Sequence, residues 1–255
     1  MTISKAYLDG IPDDESFRLD REKWRSGLSE SEELRSIAIQ LTVKSDQFKY
    51  GYQWDWCGIP IIKHPDDVML LQELIWDRRP SFVIETGIAR GGSLALSSDL
   101  MKLADLTPRV LGLDLQILPH ANDALERYLS NSSIQVFECD STSSAAKDRV
   151  NEFIGEEVNP GLLILDSNHT ESHVYAELES LSPLLPKGSF IVVCDTIVEE
   201  MPDHHYENRP WGKGNNPMSA VKAFLKVNPD FMLSKEWSRR SLMGECRDGI
   251  LIKVN

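Results

Sequence analysis

Val83-Ile84-Glu85-Thr86-Gly87-Ile88-Ala89-Arg90-Gly91-Gly92-Ser93 is an apolar run that breaks into a glycine-rich turn and resumes with helical character. A strand ending in such a turn can set bare backbone amides and a helix N-terminus against a polar ligand. The glycines at 87, 91 and 92 do not make the G-x-G-x-x-G spacing of dinucleotide dehydrogenases, and there is no Lys-Ser/Thr pair for a triphosphate. A turn needed only for tight strand-to-helix packing is the plainer alternative.

The stretches that follow repeat the pattern. Arg109-Val110-Leu111-Gly112-Leu113-Asp114-Leu115 is a second apolar run ending in an acid, at about the remove where doubly wound folds place a carboxylate for ribose hydroxyls. Asp114 is therefore the expected ribose acceptor. Ile134 to Ser141 reads as a third strand whose polar end, Asp140-Ser141, would reach an adenine edge; Gly161 to Asp166 and Ser189 to Asp195 are a fourth and a fifth. In open parallel sheets, ligands sit beyond the carboxyl ends of the strands. One acid at a strand end reads as a solvated cap, whereas acids at successive ends point to a crevice. The glycine turn, with an acid closing its strand and small residues after it, has the form of S-adenosylmethionine sites. The expected cofactor contacts are Glu85, Thr86, Gly87, Arg90, Gly91, Ser93, Asp114, Asp140, Ser141 and Asp166.

With 255 residues and 41% apolar content, the chain can bury one substantial α/β core. No run approaches the roughly 20 apolar residues of a membrane span, and the polar N-terminus lacks a signal-peptide pattern, so a cytoplasmic protein is expected. Cys57, Cys139, Cys194 and Cys246 form no C-x-x-C pair and read as buried or incidental thiols. A net charge of −13 disfavours nucleic acid and suits a small neutral or cationic acceptor.

Residues 1–45 are charged and helix-prone, and an aromatic passage from Tyr50 to Ile62 reads as loop and edge. Asp66 to Asp77 is a predicted helix, started by Pro65-Asp66-Asp67 and ended by Pro80. Strand and helix then alternate to about residue 195, the pattern of a parallel sheet covered on both faces. One helix after Pro217 and a hairpin near Phe231 to Trp237 and Gly249 to Val254 would complete a doubly wound, mostly parallel seven-stranded sheet. The expected organisation is an N-terminal extension, 1–65, packed on or over the active site of a cofactor-binding domain, 66–255.

Chemistry is expected at the ends of the fourth and fifth strands. Leu165-Asp166-Ser167-Asn168-His169-Thr170-Glu171-Ser172-His173 sets a carboxylate shortly before two imidazoles, and Cys194-Asp195-Thr196 supplies a second carboxylate. Two carboxylates converging on one crevice repel unless a cation sits between them, and Mg²⁺ on one or two carboxylates with waters or substrate oxygens is a common solution. His169 could then take a proton from an acceptor hydroxyl. His173 reads as a structural residue of the following helix. Asp166, His169 and His173 could instead form a two-histidine, one-carboxylate iron site, but that leaves the glycine turn and Asp114 without a role.

Glu85-Thr-Gly-Ile-Ala-Arg-Gly-Gly-Ser, Leu165-Asp-Ser-Asn-His-Thr and Arg209-Pro-Trp-Gly-Lys-Gly-Asn-Asn-Pro together resemble the cephalosporin hydroxylase family, from about Tyr52 to Leu225. The resemblance implies the fold of class I S-adenosylmethionine-dependent methyltransferases. That family includes a protein of cephamycin methoxylation and rhamnosyl O-methyltransferases. More distant macrolide sugar O-methyltransferases share an Asp-x-x-His motif with Mg²⁺ on the Asp and the His as base. Carried onto this chain, that implies Asp166 and Asp195 as metal ligands and His169 as base. Those sugar enzymes have Glu-Asp where this chain has Cys194-Asp195, so Thr196, Glu199 or a water would supply the third ligand.

The segment from Thr196 to Pro217 is long for a connection. Its Tyr206, Trp211 and asparagines suit a lid over a sugar ring, with Trp54 and Trp56 facing it; aromatics at an oligomer contact are the alternative. His204 and His205 lie in the same segment without an assigned role. The expected activity is Mg²⁺-assisted, S-adenosylmethionine-dependent O-methylation of a small molecule, a deoxysugar of a natural product or glycan, by a homo-oligomer. The runner-up is a cofactor-binding component of β-lactam hydroxylation and methoxylation; an NAD-linked oxidoreductase fits the glycine spacing poorly.

Overall fold

The computed structural model describes residues 14–238 and 240–255; residues 1–13 of the predicted helix-prone stretch, and Arg239, lie outside them. The described elements run α1 (Asp14–Glu30), α2 (Glu32–Asp46), β1 (Trp54–Trp56), β2 (Ile59–Ile61), α3 (Pro65–Arg78), β3 (Val83–Thr86), α4 (Gly92–Leu103), β4 (Val110–Asp114) and α5 (Pro119–Ser130). They continue through β5 (Ile134–Glu138), α6 (Ser144–Ile154), β6 (Leu162–Leu165), α7 (Glu171–Leu181), β7 (Phe190–Val193), α8 (Pro217–Val227), β8 (Phe231–Leu233), α9 (Lys235–Ser238) and β9 (Ile250–Lys253).

Seven strands form one sheet in the order β5-β4-β3-β6-β7-β9-β8. β5 to β7 across this order pair in parallel, and β9 runs antiparallel to both β7 and β8. The parallel centre follows from residue choice. Val83–Thr86, Leu162–Leu165 and Phe190–Val193 are buried at every position, as strands covered on both faces must be. Their side chains alternate between two apolar layers. Val83, Leu162 and Ile164 join Leu74, Leu94 and Leu125 on one face, while Ile84, Leu163 and Leu165 join Val150, Leu178 and Phe224 on the other.

The order reverses at β3 and β6, so the carboxyl ends of those strands open a crevice. The predicted helix at 66–77 is α3, one residue longer at each end, with Pro65 in its first turn and Arg79 capping it in a left-handed conformation at φ 47°. The aromatic passage folds as a 3-10 turn, Tyr50–Tyr52, and the antiparallel hairpin β1–β2. This hairpin lies on the first turn of α4. A Cβ at Gly92 would collide with the Pro60 carbonyl, so glycine there lets the chain leading to Lys63 and His64 approach the crevice. No described helix is long and apolar enough to cross a membrane.

Candidate active site

A cleft of about 380 Å³ lies at the switch point, lined among others by Gly87, Asp114, Asp140, Ser141, Asp166 and His173. Gly87, at φ +88°, is required twice over, because a Cβ would both strain the backbone and strike the Asp166 carbonyl at the end of β6. The same close approach sets the turn against Asp166. Asp114 braces the turn: its Oδ2 accepts from the Ile88 amide at 2.7 Å and more weakly from Ala89 at 3.4 Å. Asp140 is fixed by the amide and hydroxyl of Thr142, which hold its carboxyl below the usual range.

Other residues expected to touch cofactor do not line this cleft. Glu85 is fully buried beneath the turn, where Ser93 donates to its Oε1 at 2.5 Å. Burial pushes the Glu85 carboxyl up to about 7 against the pull of Lys63, and its Oε2 has no partner among the described residues. Thr86 is equally buried, Gly91 caps α4 at φ +88°, and Arg90 is exposed to solvent. An acid at a strand end can face the ligand or the packing, and sequence spacing does not distinguish the two.

Asp166, His169 and Asp195 each offer a ligand atom within 4.8 Å of the others. Asp166 is placed by β6, whose amide at 166 donates to the Thr86 carbonyl at 3.0 Å. Asp195 sits at a left-handed bend, φ 56°, two residues past the end of β7. His169 Nδ1 stands 3.5 Å from Asp195 Oδ2, and its ring meets Trp211 edge to face at 4.8 Å. Burial raises the Asp195 carboxyl above its ordinary range, opposed by His169 and Lys63.

The residues considered for a third ligand are otherwise engaged. Thr196 is fully buried and its hydroxyl donates toward the Glu245 and Arg247 carbonyls at 3.1 and 2.5 Å. Glu199 receives Asn216 Nδ2 at 2.6 Å and the Gly214 amide at 2.9 Å, and so ties down the 196–217 segment. His173, the candidate third iron ligand, turns its Nε2 toward Ser141 and Ser167 at 3.0 and 3.1 Å, while Asp195 completes the cluster with Asp166 and His169. Glu177, fully buried, receives the Ser167 hydroxyl at 2.7 Å and raises His173.

Several residues of this site were not anticipated. Lys63, 3% exposed, places Nζ 2.8 Å from Asp166 Oδ2, 3.9 Å from Glu85 Oε1 and 3.8 Å from Cys194 Sγ. Burial opposes its charge, but Asp166, Cys194 and Glu85 together hold its pKa well above the usual value. His64 donates from Nδ1 to the Met243 carbonyl at 2.6 Å and sets Nε2 3.5 Å from Glu245 Oε1. Asp67 accepts the Glu245 amide at 2.8 Å, which fastens the 241–247 loop onto α3; burial drives the Glu245 carboxyl well above its ordinary range, and Asp195 and Asp67 add to it. Cys194 and Cys246 meet with sulfurs 3.5 Å apart. Lys63 lies two residues past β2 and carries no local signal of this place; like the others it becomes a neighbour only through the fold.

The long segment reaches the site as well. Tyr206 lies close enough to Asp195 and Glu245 that their charges, after burial, raise its hydroxyl. His205 Nε2 pairs with Asp46 of α2 at 3.3 Å, and His204 is exposed. The two tryptophans expected opposite the lid face elsewhere. Trp56 donates to Asp99 of α4 at 3.0 Å, and Trp54 packs edge-on against Tyr50, which in turn covers His64.

The donor set suits a divalent cation, since Asp166 and Asp195 converge in a neighbourhood that also holds Glu85 and Glu245 against a single buried lysine. The cleft lined by Gly87 and Asp114 suits a ligand that offers hydroxyls. The sheet order and the cleft at its switch point are those of the class I methyltransferase fold. Residues 48–254 match the model of the rhamnosyl O-methyltransferase/CmcI family, and the chain belongs to that family.

Among curated proteins, the rhamnosyl O-methyltransferase of Mycobacterium tuberculosis is 29% identical over 198 residues, covering 77% of this chain and 76% of its own length. That of Mycobacterium leprae is 30% identical over 184 residues, 71% of this chain and 76% of its own. Among solved structures, CmcI in a form with Mg and SAM aligns with a TM-score of 0.56 at 20% identity, over 80% of this chain and 78% of that one. A methyltransferase of Podospora anserina with SAH bound aligns at 0.51 and 15% identity, over 96% and 98% of the two chains.

Proposed function

We propose that this protein is an S-adenosylmethionine-dependent, Mg²⁺-assisted O-methyltransferase whose acceptor is a hydroxyl of a deoxysugar carried by a natural product or glycan. The observation that carries the reading is the gathering of Asp166, His169 and Asp195 beside a cleft lined by Gly87 and Asp114. In this reading the cleft beside Gly87 takes the methionine part of the cofactor, Asp114 accepts the ribose hydroxyls, and Asp140 with Ser141 borders the adenine.

Mg²⁺ prefers oxygen ligands, so Asp166 and Asp195 would hold it with waters and the acceptor, and His169 stays free as a base. When bound, the ion would stabilise negative charge developing on the acceptor oxygen. His169 removes the acceptor proton, a step in which a placed base contributes about 10²- to 10⁴-fold. Its edge contact with Trp211 restricts the imidazole and sets an aromatic wall beside it. Trp211, with Arg209 stacked over it at 5.3 Å, forms the side of the site against which a sugar ring can rest.

The sugar acceptor rests on the relatives at 29–30% identity, which are rhamnosyl enzymes, whereas the likeness to CmcI at 20% is one of fold. That difference favours sugar methylation over a part in β-lactam chemistry. The test is calorimetry with S-adenosylhomocysteine and with NAD, followed by methyl transfer to a panel of rhamnosyl glycosides and nucleotide sugars. Binding of the first ligand alone and methylation of a sugar are expected; binding of NAD in its place would overturn the reading.

A further inference from the structure

Lys63 is one of the most deeply buried charged groups in the chain, yet it belongs to no predicted motif. It arrives from outside the sheet, on the segment after β2 that Gly92 allows to lie on α4. Its ammonium makes one close contact, 2.8 Å to Asp166 Oδ2, and stands between that carboxylate and Glu85 at 3.9 Å. One oxygen of Asp166 is therefore held by a fixed cation, and the other remains for a different partner. Beyond Lys63 lies Cys194, its sulfur 3.8 Å from the ammonium.

A permanent positive charge this close to a metal-binding carboxylate has two effects of opposite sense. It fixes the carboxylate in place without any ion, and it repels an arriving dication. A buried carboxylate whose cation is removed is left uncompensated, so it draws more strongly on any other cation in reach.

We propose that Lys63 is a positioning residue of the metal site and its built-in counter-charge. It keeps Asp166 seated through Oδ2 and holds the affinity for the divalent ion down, so that the site stays formed when the ion leaves. The inference rests on the metal reading given above.

The test is Mn²⁺ titration calorimetry of the full-length protein with S-adenosylhomocysteine present, together with thermal melting with and without Mn²⁺. Lys63→Met is expected to bind Mn²⁺ roughly tenfold or more tightly than the wild type, the direction set by loss of a nearby like charge. It is also expected to melt lower than the wild type without the ion and to gain more from adding it, whereas Lys63→Arg stays at the wild-type affinity. Equal or weaker Mn²⁺ binding by Lys63→Met overturns the proposal and leaves the metal reading intact. Absence of Mn²⁺ binding from every variant, with S-adenosylhomocysteine still bound, overturns both. If Lys63→Met does not fold alone, Lys63→Gln carries the same expectations; recovery of either fold by Mn²⁺ supports the proposal, and failure to recover contradicts it.

Discussion

His169 Nδ1 and Asp195 Oδ2 stand 3.5 Å apart across the ends of β6 and β7, the two strands that meet in register from Leu162 opposite Phe190 to Leu165 opposite Val193. His169 lies four residues past β6 and Asp195 two past β7, so the pairing of the strands brings the imidazole and the carboxylate to one end of the sheet. Replacement His169→Ala is expected to lower kcat about 10²- to 10⁴-fold while S-adenosylhomocysteine binds as before. Full activity in that variant, measured by methyl transfer, would remove His169 from the chemistry.

Gly87→Ala introduces a Cβ that meets the Asp166 carbonyl at a backbone φ of +88°. Strain at such a position costs on the order of 1–3 kcal/mol, before the displacement of Asp166 is counted. The expected result is a melting temperature lower by several degrees and weakened S-adenosylhomocysteine binding, both read in one thermal-shift series with ligand. An unchanged melting curve would mean that the turn does not press on β6.

Glu85 supplies a pH dependence of defined sign. Burial raises its carboxyl from the ordinary value of 4.5 to about 7 in the folded chain, so between those values the native state binds more protons than the unfolded one. Its contribution to stability is present below about pH 4.5 and is lost as pH rises toward 7, at up to about 1.4 kcal/mol for each unit. Urea melts from pH 4.5 to 8 should therefore show a shallower decline for Glu85→Gln than for the wild type. Parallel curves would rule out this source of the dependence.

Trp211 touches His169 but does not line the cleft assigned to the cofactor. Trp211→Ala is expected to raise KM for a sugar acceptor about tenfold, the scale of one lost aromatic contact, and to leave S-adenosylhomocysteine affinity unchanged. A loss of cofactor affinity instead would move Trp211 out of the acceptor side.

The sequence made the sheet readable because its inner strands are continuous apolar runs, each closed by an acid or its neighbour. Residues on one strand end, such as Asp166 and the following His169, are set by local spacing and were legible. The direction of a side chain at a strand end was not: Glu85 turns under the glycine bend to Ser93, while Asp114 remains at the cleft. Lys63, His64 and Glu245 were illegible for another reason. They reach the site by long-range packing, through Pro60 on Gly92 and the 241–247 loop on Asp66 and Asp67, and no periodicity records such contacts.

The most direct measurement is a crystal structure with S-adenosylhomocysteine and Mn²⁺ and the anomalous difference map at the manganese edge. A single strong peak bridging Asp166 and Asp195, with the ligand laid along Gly87 and its ribose on Asp114, is the predicted result. Ligand bound in the cleft with no peak at those two aspartates, or a peak only elsewhere, would contradict the account.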